Sequence, residues 1–306
     1  MGTREYTHTP VLLREALEAL SVRPEGCYAD GTFGGGGHSR AILRQLGPGG
    51  RLFCVDKDAR ALEELPKDDP RVQGIQSDYR YLANWLDYYG VEGLDGLLVD
   101  LGVSSYHLDT PSRGFSYRFQ GPLDMRMNQQ SHRTASELLN AASLTELTRI
   151  FRDYGELHEA NRLALAICSE RNVTPYVEVP DLQRTLERVY GRAADQWGLQ
   201  SKVFQALRIA VNDELGALSS LLQMLPQLLK VGGRVVVISY HSLEDRLVKQ
   251  YLRGATQTPI QEQRLLGVAD YAVEEVYRKV ITPDAAELAQ NRRARSAKMR
   301  VGVRKC

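Results

Sequence analysis

Asp30-Gly31-Thr32-Phe33-Gly34-Gly35-Gly36-Gly37-His38-Ser39 is the stretch that decides how the rest of the chain is read. It follows a short apolar run with strand character, residues 26–31, and leads into a helical stretch, residues 39–45. Glycines at such a crossing let the backbone turn sharply and approach a ligand closely. The next apolar run, residues 51–55, is closed by Asp56. A carboxylate about 20 residues beyond a glycine loop accepts hydrogen bonds from ribose hydroxyls. Loop and acid together mark a ligand that contains a nucleoside. Gly34, Gly36 and Ser39 do not complete G-x-G-x-x-G, and no G-x-x-x-x-G-K-[ST] occurs. The dinucleotide fingerprint and the P-loop are therefore both missing. Asp30 stands directly before the glycines, where a cationic or amine-bearing ligand is favoured over a phosphate.

Outward from this loop the chain alternates. A helical stretch at 59–65 is followed by a weaker strand at 72–76, a helix at 81–89 and a clear fourth strand at 94–101. Strands alternating with helices predict a parallel, doubly wound α/β sheet. Upstream, Thr9-Pro10 opens an apolar-periodic stretch at 11–20, with Thr9 as cap and Pro10 in the first turn. The rhythm stops from 110 to 198, where helical patterns dominate: 135–142, 144–154, 159–171 and 179–189. Strand character returns at 234–239, after a helix at 212–230, and again at 274–281 and 298–303. The economical reading is one α/β domain, residues 1–110 and 201–306, interrupted by a helical insertion, residues 111–200.

The composition, 43% hydrophobic and 25% charged over 306 residues, is that of a globular protein. Apolar runs such as 235–238 are far too short to cross a bilayer, and residues 1–6 form no signal region. A soluble protein that works in the cytoplasm, with no membrane partner, is expected. Nothing in the sequence specifies an oligomeric state. The four cysteines form no C-x-x-C and have no zinc-ligand spacing with histidine, so no metal is expected. Cys27 and Cys54 lie in apolar runs and read as buried reduced thiols.

A net charge of +1 rules out a uniformly basic nucleic-acid binder, but the charge is uneven. After Glu287 no acid follows, whereas Arg292, Arg293, Arg295, Lys298, Arg300, Arg304 and Lys305 do. Such a run is either a solvated, partly disordered tail or a phosphate-contacting segment.

Several side chains sit where chemistry is expected. S-adenosylmethionine carries an ammonium, a sulfonium and no phosphate, which suits Asp30, Gly34, Gly36 and Asp56. Asp78-Tyr79 follows the third strand, where Tyr79 is either an exposed turn residue or a platform for adenine. Ligands of this fold gather at strand ends, which favours the platform. Asp100 closes the fourth strand. His241, in Ser239-Tyr240-His241-Ser242, ends the fifth and belongs either to a target pocket or to a helix start capped by Ser242. Arg113, Phe115, Tyr117, Arg118, Phe119 and Arg126 interleave basic and aromatic groups. That arrangement suits phosphate contact with base stacking, or else a packed loop with surface arginines.

Eight blocks then coincide with a known family. They are His8-Thr9-Pro10-Val11-Leu12-Leu13-Arg14-Glu15, residues 30–39, Asp100-Leu101-Gly102-Val103-Ser104-Ser105, Arg113-Gly114-Phe115-Ser116, Pro122-Leu123-Asp124-Met125-Arg126-Met127, residues 204–212, residues 239–246 and residues 293–298. In this order, over nearly the whole chain, they resemble the bacterial family of ribosomal small-subunit RNA methyltransferases H, formerly called MraW. The resemblance implies a class I (Rossmann-like) methyltransferase sheet with a helical domain inserted after the fourth strand. It implies S-adenosylmethionine as cofactor. Its implied target is the N4 amine of one cytidine, numbered 1402, in 16S rRNA of the small ribosomal subunit. Carried over by motif, Gly36, Gly37, His38, Asp56, Tyr79 and Asp100 would contact the cofactor. Tyr79 replaces a phenylalanine and keeps the stacking face. His107 stands where the family has a glutamine contact and can still donate or accept a hydrogen bond. Amino methyltransferases often end this strand with a polar residue and Pro-Pro-aromatic, and Asp100-Leu101-Gly102-Val103 departs from that. Asp100 is thus read as contacting the cofactor, orienting the amine, or both, with His241 as a second catalytic candidate. Arg113, Phe115 and Arg126 are the candidates for RNA contact. A scaffold protein with a vestigial loop, and a methyltransferase for small molecules or proteins, are the competing readings.

Overall fold

The structure, a computed structural model, describes residues 10–66, 68–191, 198–257, 261–263 and 268–305. The chain divides into two compact units, Met1–Gly102 with Gly216–Cys306, and Val103–Leu215.

Among the described residues, the first unit is built on nine strands. These are β1 (Cys27–Asp30), β2 (Arg51–Asp56), β3 (Val72–Gln76), β4 (Leu94–Asp100), β5 (Leu229–Ser239), β6 (Gln261–Gln263), β7 (Val268–Asp270), β8 (Val273–Glu275) and β9 (Lys298–Arg304). Seven of them form one sheet in the order β3-β2-β1-β4-β5-β9-β8, while β6 and β7 pair separately. Strands β1 to β5 run parallel, and β9 is antiparallel to both β5 and β8. The strand order reverses between β1 and β4. Doubly wound sheets bind ligands at the carboxyl ends of the strands on either side of such a reversal.

Strand β1 is buried throughout and β4 is buried up to Asp100, as expected of central strands covered on both faces. The two faces divide by the period of two. Phe53, Val55, Leu97, Val99, Val235 and Val237 pack on one side, and Leu52, Cys54, Leu98, Val236 and Ile238 on the other. The second face is covered by helices α1 (Leu13–Leu20) and α2 (Gly37–Leu43), through Ala16, Leu20 and Ile42. The first is covered by α3 (Leu82–Tyr88) through Leu82 and Leu86, and by later helices. Cys27 and Cys54 are free and buried, and burial pushes the Cys54 thiol up to about 12.

The second unit holds α4 (Ser105–Asp109), α5 (Ala135–Ala141), α6 (Leu144–Asp153), α7 (Ala160–Glu170), α8 (Val179–Tyr190) and α9 (Leu199–Asn212) around their own apolar core. It starts at residue 103 and ends at 215, wider than the expected 111–200. The reason is packing: Val103 and Leu108 at one end, and Val203, Phe204 and Leu207 at the other, belong to the helical core. The first unit resumes along α10 (Glu214–Leu228) and adds α11 (Ser242–Leu252) and α12 (Ala285–Gln290).

Three local expectations change, and a fourth is not reached by the described residues. Thr9, the expected cap, lies outside the described residues. The stretch expected as a helix at 59–65 makes only a 3-10 turn, Ala61–Glu64, because Pro66 ends it. The helix expected at 212–230 ends at Leu228 and the strand expected from 234 has already begun at Leu229, with Gly232 at φ +79 absorbing a register irregularity against β4. The basic C-terminal run is no loose tail. Arg300 is buried between Asp245 (2.6 Å) and Glu275 (2.8 Å), and Lys298 lies 3.3 Å from Asp245. Of that run, Arg292, Arg293 and Arg295 stand exposed on a 3-10 turn, and Lys305 stands exposed just past β9, paired with Glu274. Among the described residues, no helix is long and apolar enough to cross a membrane.

Candidate active site

Three carboxylates end three neighbouring strands: Asp56 on β2, Asp30 on β1 and Asp100 on β4. Their surroundings differ. Asp30 is interior, accepting the Thr32 amide at 3.1 Å on Oδ1 and the Ser39 hydroxyl at 2.6 Å on Oδ2. It braces the loop against the first turn of α2, and burial pushes its pKa up. Asp56 accepts the Gly34 amide on Oδ2 and the Asp58 amide on Oδ1, each at 2.8 Å. The ribose-type acid and the glycine loop are thus joined directly.

The loop has a packed flank and an open one. Gly36 has φ +70, and a side chain there would strike the Phe33 ring; one on Gly37 would meet Pro10 at 2.2 Å. A side chain on Gly35 would meet nothing within 4 Å.

Asp100 is held from three sides. Its amide donates to Thr32 Oγ1 at 2.6 Å, its Oδ1 accepts the Tyr240 hydroxyl at 2.8 Å, and its Oδ2 faces His38 Nδ1 at 3.7 Å. His38 Nε2 lies 3.0 Å from the Val11 carbonyl, which can only accept, so this nitrogen carries the hydrogen. Burial holds the His38 pKa below its ordinary value and favours the neutral ring, whose Nδ1 then presents a lone pair. Burial also pushes Asp100 up to about 7, against the pull of the Tyr240 hydrogen bond and with a push from Glu244, although 23% of its side chain stays accessible. With Asp100 ionised, two acceptors face each other across a gap. An N–H donor satisfies both, whereas a phosphate oxygen would be repelled. An ammonium or amine is the group that fits; the acceptor is Asp100, whereas Asp30, the acid expected to favour such a group, is interior and engaged by Thr32 and Ser39.

Tyr79 opens a 3-10 turn capped by Asp78, and its ring is buried. Its Cβ lies 3.4 Å from where a side chain on Gly31 would start, and Lys57 Nζ stands 5.8 Å from its ring centre while pairing with Asp78 at 2.9 Å. His241 itself, not Ser242, is the N-cap residue of α11. Its Nε2 lies 3.1 Å from Glu244 Oε1, and both side chains are buried. Glu244 Oε2 accepts the amides of Tyr240 (2.9 Å) and His241 (3.3 Å). His241 thus occupies the helix start, and the neighbouring Tyr240, passed over in the sequence, reaches Asp100.

The remaining candidates lie in the second unit and form one framework there. His107 takes the N3 position of a capping box, with its amide donating to Ser104 Oγ and its Nδ1 accepting the Ser104 amide, each at 3.3 Å. Glutamine or glutamate ordinarily fills that position, so histidine keeps the acceptor that the turn requires. Its ring leans on Phe115, with centroids 4.8 Å apart. Arg113 is 1% exposed and donates to the carbonyls of Arg126 (2.8 Å) and Met127 (3.0 Å). Arg126 forks onto Asp124 at 2.9 and 2.7 Å. Arg113 and Phe115 are interior groups, while Arg118 and Phe119 stand exposed nearby in sequence.

One consequence concerns Asp56. Asp56→Ala should weaken cofactor binding by about 1.5–3 kcal/mol, the scale of a hydrogen bond to a charged group. Calorimetry that found full affinity in the folded variant would remove Asp56 from the site.

A doubly wound sheet whose switch point carries a glycine loop, a ribose-type acid and an acceptor pair defines a site for an amine-bearing nucleoside. The chain belongs to the MraW methylase family, whose model matches residues 5–305. It is 47% identical to the ribosomal RNA small subunit methyltransferase H of Amoebophilus asiaticus, over 97% of this chain and 96% of that one. It is 46% identical to the protein of the same name from Porphyromonas gingivalis, over 96% of each. Among solved structures it is similar to an rRNA methylase from Streptococcus thermophilus (TM-score 0.40, 10% identity, 96% of this chain and 94% of that one). It is also similar to Aeropyrum pernix fibrillarin in complex with S-adenosyl-L-methionine (TM-score 0.39, 13% identity, 95% and 74%).

Proposed function

We propose that this protein uses S-adenosylmethionine to methylate the N4 amine of a cytidine in the 16S rRNA of the small ribosomal subunit, in the cytoplasm. The observation that carries the reading is the acceptor pair of His38 Nδ1 and Asp100 Oδ2 beside the glycine loop. Family membership supplies methyl transfer as the reaction, and the relatives' shared name supplies the RNA.

When bound, S-adenosylmethionine supplies a methyl group already activated by its sulfonium. The protein's part is to align the reactants. Asp56 takes the ribose hydroxyls, the open flank of the loop at Gly35 admits the ligand, and Asp100 Oδ2 accepts an N–H. The lone pair of the cytosine amine is delocalised into the ring, so an acceptor drawing on its N–H helps to pyramidalise the nitrogen. Arg113, Phe115 and Arg126 hold the loop that carries Arg118 and Phe119, and those two side chains suit a phosphate and an unstacked base; within the first unit, Arg292, Arg293 and Arg295 suit phosphates on their own.

Labelled S-adenosylmethionine incubated with undermethylated small subunits should yield N4-methylcytidine on nucleoside digestion. The yield should fall steeply with salt, as for a surface that meets several phosphates. Label on another nucleoside or on protein, or free cytidine reacting as well as the particle, would sink the reading.

A further inference from the structure

We propose that Tyr240 is a positioning residue for methyl transfer: by donating to Asp100 Oδ1 it orients the carboxylate, so that Oδ2 alone receives the incoming N–H. The proposal rests on the reading of Asp100 as the acceptor.

The geometry is specific. Asp100 sits at the end of β4 and Tyr240 just past the end of β5, its parallel neighbour, with Asp100 in register with Ile238. The period of two places Asp100 on the face of Leu98, and Tyr240 on the face of Ile238, which is the same face. The Tyr240 hydroxyl crosses to Oδ1 at 2.8 Å. Burial and the adjacent carboxylate push the Tyr240 pKa upward, so the phenol keeps its proton and acts as a donor. With Oδ1 engaged, Oδ2 is left facing His38 Nδ1. The Thr32 hydroxyl fixes the backbone of the same residue, so side chain and main chain are both anchored.

The other charged or titratable groups around this carboxylate are His38 on α2, Asp30 on β1 and Glu244 on α11. Glu287 on α12 acts on Tyr240 and His38. Apart from an ionised His38, which burial disfavours, none of these helps Asp100 to ionise. The Tyr240 hydroxyl is therefore the neutral donor that does so.

The Tyr240→Phe variant keeps the ring and removes only the hydroxyl. Two measurements on it decide the matter. The first follows the Asp100 titration by carboxyl NMR of aspartate-labelled protein, with Asp100→Asn identifying the signal. Loss of a stabilising donor should move this titration upward by about half to one pH unit. The second is the pH profile of kcat/KM with small subunits, which reports groups of the free enzyme. Because the ionised carboxylate is the working form, the rate rises with pH through the Asp100 titration. Its acid limb should move up in Tyr240→Phe by the same amount, and activity should recover at higher pH. An unmoved titration overturns the positioning role itself. A moved titration with an unmoved or absent rate limb overturns it through the reading of Asp100 on which it rests.

Discussion

Asp100→Asn should lower the single-turnover rate at saturating cofactor by about 10²-fold or more, the scale of a positioned acid–base group, while making the free protein more stable. The opposite signs come from one piece of geometry. Asparagine keeps an oxygen for the Tyr240 hydroxyl and turns its amide N–H toward His38 Nδ1, 3.7 Å from the oxygen it replaces. The gap between two acceptors becomes a donor–acceptor pair, closed by the protein itself, and the incoming amine loses its partner. If Asp100 served the cofactor alone, affinity for S-adenosylmethionine would fall and the saturated rate would stay near wild type.

Stability supplies an independent check. A folded-state pKa of about 7 lies above the ordinary aspartate value of about 3.9. A carboxyl raised in this way supports the fold when protonated, and that support is lost as pH rises through about 7. The melting temperature of Asp100→Asn should therefore exceed that of wild type most at pH 8, and the gap should close as pH is lowered toward 4. Asp30 and His38 are shared by both proteins, so in the difference their own pH dependences largely cancel. A gap that widened on acidification would mean that Asp100 is ionised and well paired in the free protein.

How far this site can be read from the sequence depends on the range of the interactions. The glycine loop, Asp56 and Asp100 are legible because each is a strand end, and strand ends follow from local apolar runs. Tyr240 was legible in principle: counting by twos along Val236, Ile238 and Tyr240 puts it on the face of Asp100, given only that the fourth and fifth strands are neighbours. Histidine is the commoner acid–base residue, yet the ring of His241 beside it is turned to Glu244. The basic C-terminal run was not legible, because its fate depends on acids far away in sequence. Asp245 on α11 and Glu275 on β8 convert Arg300 from a surface charge into a buried strut. Charge counts cannot foresee such pairings, which only the antiparallel insertion of β9 between β5 and β8 creates.

The same lesson gives Arg113 its expected phenotype. A guanidinium in a basic and aromatic stretch reads as a phosphate contact, but here it is buried beneath its own loop. It binds the carbonyls of Arg126 and Met127 and lies 5.9 Å from the ring centres of Tyr106 and Phe115. Hydrogen bonds from a charged donor contribute about 1.5–3 kcal/mol each, so Arg113→Ala should destabilise the second unit by about 3 kcal/mol or more. Arg113→Lys separates the two roles. Lysine retains the charge a phosphate would need, but both carbonyls are held by the terminal nitrogen Nη2, beyond the reach of the shorter lysine stem, and an ammonium is more strongly hydrated and so costlier to bury than a guanidinium. A scaffold role therefore predicts that lysine rescues little, and a phosphate role predicts that it rescues most. Hydrogen exchange of amides in α5 to α9 reads the stability of this unit directly, and binding to small subunits under folding conditions reads the RNA contact. The scaffold assignment expects faster exchange in both variants, with affinity unchanged wherever the unit is folded. Unchanged exchange with weakened binding in Arg113→Ala, restored by lysine, would return Arg113 to the RNA surface.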